Sequence, residues 1–220
     1  MVGFNDEAAP APAAAAEREA GEYDSLAETL ERAAEMLRRV GSGTRAERLE
    51  HRARTERAHA RAIRHLRLVA RARAIASDVH SAQVDADGRP HLDHVERVAE
   101  LVDRRLPAAS KLRERAITVA LLHDTVEAQT GVSTASLRRQ LGDPIVADAV
   151  GLLTHGAEVG YLEYVREIAQ ARGEAGAVAR IVKAADLDDN IRRYEHAADP
   201  GRVERYRRAR AILGPADAPV

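Results

Sequence analysis

The sequence predicts an all-α protein, and three features of the chain support that fold class. Ala, Leu, Arg and Glu are abundant in the 220 residues, and these residue types lose little conformational freedom in a helix. Apolar residues recur at helical spacing, whereas no segment alternates apolar and polar residues as a half-buried strand does. Gly and Pro residues separate the periodic segments and thereby mark the ends of helices.

The N-terminal third is predicted to contain a tail and a helical extension. Residues 1–22 are rich in Ala, Pro and Glu, and we expect this tail to be disordered. A first helix is expected over 24–40, and a second one from Thr44 to about His80. The second helix becomes apolar only in its later half, so we place the helical extension at 23–68.

The main domain is predicted to span 69–213, followed by a short tail over 214–220. A loop rich in Asp, Gly and Pro at 85–90 ends the long helix. Asp143 and Pro144 provide a cap and a first-turn proline for one of the helices beyond this loop. The predicted helices of this domain span 91–105, 109–124, 133–141, 143–155, 159–173, 175–192 and 200–213.

The composition limits the chemistry that the protein can perform. The chain has no cysteine, which excludes disulfides and thiolate catalysis, so a metal site would consist of His, Asp and Glu. A formal net charge of -1 gives no global attraction to nucleic acid or to a membrane. The apolar runs are too short to span a bilayer, and the N-terminus lacks the pattern of a secretory signal. We therefore expect a cytoplasmic protein without a membrane partner.

Three predicted helices carry histidine or aspartate beside apolar residues, and the residues concerned are His91, His94, His123, Asp124 and Asp186. Burial of an ionised carboxylate beside a histidine is costly unless a cation accompanies it. Two imidazoles and two carboxylates from three helices would form a mixed nitrogen and oxygen site that suits Mn, Fe, Co or Zn. A single His-Asp pair is also common where a helix ends at the surface, so the prediction depends on the joint pattern.

Helical spacing places further polar residues beside these candidates. Glu127 follows His123 by four residues and would lie one turn further on the same face, where it could orient or deprotonate a water. Lys183 lies three residues before Asp186 and Asn190 four residues after it, so both would project to the same side. Lys183 suits a phosphate, and Asn190 suits a hydrogen bond to substrate or water. The alternatives are a solvated Glu127 and a surface Lys183.

The ligand types favour hydrolysis of a phosphate ester or a pyrophosphate, which divalent metal sites support. The sequence has no nucleophilic Cys, no Gly-x-Ser-x-Gly elbow and no glycine-rich phosphate-binding loop. We therefore predict a metal-dependent phosphohydrolase. Two alternatives stay open beside it, namely a nucleotide sensor without turnover and a nucleic-acid-binding adaptor.

Four motifs follow one another along the chain, namely PHLDHVERVA at 90–99, ALLHDTVE at 120–127, GLLT at 151–154 and VKAADLDDN at 182–190. In this order they resemble the HD superfamily of metal-dependent phosphohydrolases, whose fold is a helical bundle. Within that superfamily the chain looks most like alarmone hydrolases, namely the hydrolase half of Rel/SpoT enzymes and their small hydrolase-only relatives. The likeness extends over about residues 70–192.

The resemblance implies a ligand set, a catalytic group and a substrate class. The implied ligands, usually of Mn²⁺, are His94, His123, Asp124 and Asp186. Glu127 would belong to a catalytic acidic pair, and Asn190 would lie at the nucleotide. Tyr161 and Tyr164 resemble positions near the substrate phosphates. The implied activity is removal of the 3′-pyrophosphate from guanosine tetra- or pentaphosphate.

The chain departs from the alarmone-hydrolase pattern at three places. Ala128 replaces the second acid of the catalytic pair, and Val95 replaces a proline after the histidine ligand. Asp85-Ala86 occupy the positions of a basic pair that helps to hold the base in the family. These departures are compatible with an HD phosphohydrolase, but they favour a different nucleotide, weak activity or a sensor.

The segment Arg45–Arg73 contains ten arginines and only three acids. Such a helix can bind nucleic acid or an acidic partner, but no aromatic residue accompanies the arginines for base stacking. We favour the alternative of a solvated helix face with Glu–Arg pairs three or four residues apart. An oligomerisation hairpin or a lid over the main domain is also compatible with these helices.

Overall fold

The computed structural model describes residues 11–85, 88–128, 131–156 and 158–214. The prediction of an all-α protein is confirmed, because these ranges form helices and no β-sheet. Within them, no helix is both long enough and apolar enough to cross a membrane. The helices of these ranges are α1 (Ala11–Arg39), α2 (Gly43–His80), α3 (His91–Arg105), α4 (Arg113–Leu122), α5 (Thr134–Leu141), α6 (Pro144–Leu153), α7 (Tyr161–Gln170), α8 (Gly173–His196) and α9 (Pro200–Leu213).

The chain divides into two compact units, and the first one ends at Leu68, inside α2, where the sequence analysis also ends the helical extension. Helix α1 begins at Ala11, so the prediction of disorder over 1–22 is wrong from that residue onward. Residues 1–10 lie outside the described residues. The segment is helical because it is rich in strong helix formers and because Ala20 is fully buried.

Ion pairs between α1 and the part of α2 that belongs to the first unit define an antiparallel hairpin. Arg57 contacts Glu31 at 2.7 Å and Arg64 contacts Asp24 at 2.8 Å, so residues later in α2 pair with residues earlier in α1. The turn contains Gly41, whose φ of 78° suits glycine. Buried alanines recur at seven-residue intervals in both helices, and they are Ala20, Ala27, Ala34, Ala46, Ala53 and Ala60.

Helix α8 is the centre of the second unit, and it packs against α3, α4, α6, α7 and α9. Its middle is buried because small apolar residues such as Ala179, Val182 and Ala185 occupy it. Helix α4 is buried along its apolar run 116–122 and packs on α3 and α8. The three helices that carry or precede the predicted ligands therefore lie next to one another.

Several helix boundaries follow the prediction, whereas α4 is shorter than the predicted 109–124 and α8 is longer than the predicted 175–192. Helices α3 and α9 have the predicted bounds, and Asp143 caps α6 as expected. Helix α4 ends at Leu122, because the Leu122 carbonyl accepts hydrogen bonds from both N and Oγ1 of Thr125, at 3.0 and 2.6 Å. His123 and Asp124 therefore lie in the turn that follows α4, where the sequence predicted helix.

Candidate metal centre

The residues predicted to bind a metal come together where α3, the end of α4 and α8 meet. His94 lies in the first turn of α3, His123 and Asp124 follow α4, and Asp186 lies in the middle of α8. His94, His123 and Asp186 are buried, whereas the side chain of Asp124 is 27% exposed. A partly exposed carboxylate beside three buried ligands leaves the cluster open to solvent on one side.

The distances between the candidate ligand atoms suit one cation. His94, His123 and Asp124 each present an atom, and these atoms lie within 4.8 Å of one another. Nε2 of His123 lies 3.3 Å from Oδ2 of Asp124, and Nε2 of His94 lies 4.0 Å from it. This trio could hold a metal ion.

Asp186 adds a second carboxylate to the trio. Its Oδ1 lies 3.3 Å from Nε2 of His94 and 3.9 Å from Nε2 of His123. The same oxygen accepts a hydrogen bond from Asn190 at 2.6 Å, and Oδ2 accepts one from Lys183 at 2.9 Å. Both neighbours therefore project to the side of Asp186, as their spacing along the helix predicted.

The tautomer of His123 indicates a site for a cation. Nδ1 of His123 lies 2.8 Å from the Ala120 carbonyl oxygen, which can only accept, so Nδ1 carries a proton. Nε2 is buried and has no hydrogen-bond partner among the described residues. In a neutral imidazole with its proton on Nδ1, Nε2 carries a lone pair, and here this lone pair faces the carboxylates of Asp124 and Asp186. A bound cation would satisfy the lone pair and both acids, so the donor set fits a divalent metal.

A carboxylate contacts Nδ1 of His94, on the side of the ring opposite the other candidate ligands, and this arrangement is typical of metal-binding histidines. Nδ1 of His94 lies 2.7 Å from Oδ2 of Asp189, and Arg97 donates to both oxygens of Asp189, at 2.9 and 3.1 Å. Nε2 of His94, on the other side of the ring, faces Oδ1 of Asp186. Neither Asp189 nor Arg97 was predicted to belong to the site, although each lies three residues after a predicted ligand and hence near the same helix face.

The electrostatics of the cluster keep its carboxylates ionised. Burial alone would raise the pKa of Asp186, but the charge of Lys183 and a hydrogen bond with His94 hold it well below the usual range. Burial also tends to raise the pKa of Asp124, but the charge of His123 and a hydrogen bond with His91 outweigh it and lower this pKa. Burial lowers the pKa of His94, yet hydrogen bonds to Asp186 and Asp189 raise it to about 10. The cluster therefore stabilises positive charge.

Lys183 is buried, so the alternative of a surface lysine is wrong. Its Nζ lies 5.6 Å from the ring centroid of Tyr161 and 5.2 Å from that of Tyr164, which brings both tyrosines to the cluster. Burial lowers the pKa of Lys183, but the charge of Asp186 outweighs it, and the pKa lies well above the ordinary value. The hydroxyl of Tyr164 donates to the Leu153 carbonyl, whereas desolvation raises the pKa of Tyr161 to about 12.

Glu127 lies in the turn after α4, so it is not one helical turn beyond His123 as the sequence predicted. Its Oε1 accepts a hydrogen bond from the backbone N of His155 at 2.5 Å. Partial desolvation and the negative charge of Asp124 raise the pKa of Glu127, although the bond from His155 opposes them. The carboxyl is exposed, so it is accessible from solvent beside the cluster.

His91, for which the sequence predicted no role of its own, contacts a candidate ligand. Its Nε2 lies 3.0 Å from Oδ2 of Asp124, and its Nδ1 lies 2.8 Å from Oδ1 of Asp85. Arg193 donates to Oδ2 of Asp85 at 2.8 Å. Burial lowers the pKa of His91, but the two carboxylates outweigh it and the pKa is raised. The four residues form a continuous chain of contacts that ends at a candidate ligand.

No protein-family model matches the sequence, and no curated protein matches it significantly. The interpretation of the cluster therefore depends on its own geometry and on the motifs in the chain. The geometry supports one statement directly, which is that His94, His123 and Asp124 form a group able to hold a metal ion.

Proposed function

We propose that the protein is a metal-dependent phosphohydrolase that acts on a nucleotide pyrophosphate or phosphate ester. The observation that carries the proposal is the buried Nε2 of His123, which has no hydrogen-bond partner among the described residues and faces two carboxylates. His94, His123, Asp124 and Asp186 would hold the metal. A borderline ion fits this mixture of imidazole and carboxylate ligands, and Mn²⁺ is our first candidate, followed by Fe, Co and Zn.

A divalent metal, when bound, lowers the pKa of a coordinated water and neutralises charge on a phosphoryl oxygen. The residues around the cluster would supply the remaining requirements. Glu127, with its raised pKa and its exposed carboxyl, would accept a proton from the attacking water and pass it to the leaving group. The hydrogen bond from His155 would fix the direction of that carboxyl.

Positive charge and hydrogen-bond donors beside the cluster would bind the phosphate. Lys183 is a cation whose bond to Asp186 uses one of its three donor positions, which leaves donors for a phosphate oxygen. Tyr161 would be a neutral phenol at neutral pH and could donate to the same group. Asn190 would keep Asp186 in place and contact the substrate from the same helix face. The hydroxyl of Tyr164 is engaged with Leu153, so we assign it a packing role beside Lys183.

The likeness to alarmone hydrolases makes guanosine tetraphosphate one candidate substrate, but the acid at position 85 is compatible with nucleotides of other bases as well. In the family this loop contributes a basic pair toward the base. Here Asp85 is an acid whose two oxygens are bonded to His91 and Arg193. We therefore propose the nucleotide polyphosphates as a class and do not restrict the base to guanine.

The test is a turnover assay with purified protein, Mn²⁺ and a panel of guanosine, adenosine and deoxynucleotide polyphosphates. Released phosphate and pyrophosphate are both measured. We expect turnover of one nucleotide class, and we expect it to be absent from metal-stripped protein and from His123→Ala. His51→Ala, which changes an exposed histidine of α2, is the matched control and should retain activity. No turnover of any nucleotide by the wild type would contradict the proposal.

A nucleotide sensor without turnover is the second candidate, and Ala128 favours it. The alarmone hydrolases have an acid at this position, so the catalytic pair is incomplete here. A sensor predicts that a nucleotide raises the melting temperature of the protein while no product forms. The two candidates are separated by following product release and thermal stability in the same samples.

A further inference from the structure

A chain of four polar side chains in contact leads from α8 to the candidate metal centre through His91. Arg193 donates to Asp85 at 2.8 Å, Asp85 lies 2.8 Å from Nδ1 of His91, and Nε2 of His91 lies 3.0 Å from Oδ2 of Asp124. The side chains of Arg193, Asp85 and His91 are only 10%, 12% and 17% exposed. Charges that are this well shielded from solvent are weakly screened, so their contacts are stronger than those of surface pairs.

We infer that His91 is a positioning residue of the metal centre, which holds the Asp124 carboxylate in the direction required for metal binding. The inference rests on the proposed metal site but not on turnover. Nε2 of His91 lies 3.0 Å from Oδ2 of Asp124 and Nδ1 lies 2.8 Å from Oδ1 of Asp85, so each ring nitrogen already has a carboxylate partner. The group of atoms able to hold an ion consists of His94, His123 and Asp124 and does not include His91, so His91 acts through Asp124.

Asp124 needs such support more than the other candidate ligands do. It lies in the turn after α4, whereas Asp186 and His94 lie within helices, and its side chain is the most exposed of the four. Its Oδ2, which receives the His91 contact, is also the atom that faces His123 and His94. A donor at 3.0 Å from this oxygen restricts the rotation of the carboxylate and keeps it directed toward both imidazoles.

The backbone around His91 places Asp85 on the far side of the imidazole. The backbone N of His91 donates to the Gln83 carbonyl at 2.9 Å, and Val84 and Pro90 form an antiparallel bridge. The chain thereby returns on itself between Gln83 and the start of α3, and Asp85 faces the histidine. Arg193 then fixes Asp85 from α8, which is the helix that also carries Asp186.

Two substitutions of His91 separate its two contacts. The side-chain amide nitrogen of Gln lies near the position of Nε2 of histidine, whereas that of Asn lies near the position of Nδ1. His91→Gln therefore keeps a donor toward Asp124, and His91→Asn keeps one toward Asp85 only. We expect His91→Asn to bind Mn²⁺ about 10- to 100-fold more weakly than the wild type, and His91→Gln to bind it with nearly wild-type affinity.

The measurement is calorimetric titration with Mn²⁺, repeated with Co²⁺ while its visible absorption is recorded. The Co²⁺ spectrum reports the geometry of the ligands, so it should change in His91→Asn and be preserved in His91→Gln. His59→Asn is the matched control, because His59 contacts the carboxylate of Glu56 at 3.3 Å in the helical hairpin. The melting temperature of each metal-free variant tests whether it is folded. Asp85→Asn, which keeps His91 and all four ligands, is the second variant and should cause a smaller loss of affinity.

The outcomes separate this inference from the proposed function. Equal Mn²⁺ affinity of folded His91→Asn and wild type would overturn the positioning role and leave the phosphohydrolase proposal intact. Normal metal binding by the wild type without turnover would contradict the phosphohydrolase proposal and leave the role of His91 in place. Failure of the wild type to bind either metal would overturn both.

Discussion

The helical hairpin of the first unit and the candidate metal centre of the second both concentrate charged residues, but they balance charge in opposite ways. In the hairpin, arginines contact carboxylates near the surface, as Arg57 does with Glu31. In the candidate metal centre, acids and imidazoles are buried together, and Nε2 of His123 lacks a hydrogen-bond partner among the described residues. Paired charges at a surface need no ligand, whereas a buried cluster of imidazoles and acids with an unsatisfied atom could hold a metal ion.

This comparison also bears on the Arg-rich segment of α2. Within the described residues, five arginines of this segment form ion pairs with carboxylates, and they are Arg52, Arg57, Arg64, Arg67 and Arg73. Of these pairs, Arg52 with Glu56 has the spacing of four residues that the sequence analysis expected, whereas three others link α2 to α1. The arginines that pair with α1 serve the hairpin, which supports the structural interpretation of the segment over nucleic-acid binding.

The largest expected effect comes from removing the acid at the centre of the cluster. Asp186→Ala should abolish metal binding and lower the free energy of unfolding by about 3–5 kcal/mol, because it leaves the buried Lys183 without its partner. Chemical denaturation and calorimetric metal titration measure the two effects. Asp148→Ala, which changes an exposed acid paired with Arg138, is the control and should leave metal binding unaltered. A fully stable Asp186→Ala variant would contradict the importance of the buried pair.

Metal binding itself should stabilise the protein by a somewhat smaller amount. Mn²⁺ at about 100 times its dissociation constant should raise the free energy of unfolding by about 2.7 kcal/mol, because the unfolded chain lacks the assembled ligands. Thermal melting with and without the metal measures the effect, and a chelator should reverse it. His123→Ala should show no stabilisation. An equal shift in that variant would mean that Mn²⁺ binds elsewhere.

The buried alanines of the hairpin provide the next test. Ala53 is 1% exposed and belongs to one apolar cluster with Ala27 and Leu30, so Ala53→Leu should introduce side-chain volume that the hairpin cannot accommodate. We expect a loss of about 1–3 kcal/mol in the free energy of unfolding. The affinity for Mn²⁺ should not change, because every candidate ligand lies in the second unit. A loss of metal affinity would show that the two units are energetically coupled.

Much of the helical fold was predictable, because local signals mark its boundaries. Asp143 caps α6 with hydrogen bonds from two backbone N–H groups, and the bounds of α3 and α9 match the prediction. The start of α1 was not predictable from composition. An Ala-rich segment with few large apolar residues resembles a disordered tail, and it is the pairing of Glu17 with Arg64 and Arg67 that ties it to α2.

The candidate ligands were predictable, whereas the residues that support them were not. Apolar runs that end in His123-Asp124 and in Asp186 indicated the candidate ligands, because burial of acids requires compensation. The contacts of Asp189 with His94 and of His91 with Asp85 join residues from different elements, and nothing in their local sequence specifies the partner. The turn after α4 depends on the Thr125 hydroxyl, so helical spacing misplaced Glu127.

The smallest expected effect concerns a surface ion pair of the hairpin. Arg64 and Asp24 are separated by 2.8 Å, but their side chains are 37% and 32% exposed, so solvent screens the attraction. A double-mutant cycle with Arg64→Ala and Asp24→Ala should give a coupling energy of about 0.2–1 kcal/mol, and 1 M salt should reduce it. The measurement is denaturant unfolding of the four proteins at both salt concentrations. A coupling as large as the loss in Asp186→Ala, or one that salt leaves unchanged, would remove the distinction between the paired surface charges of the hairpin and the buried charges of the metal centre.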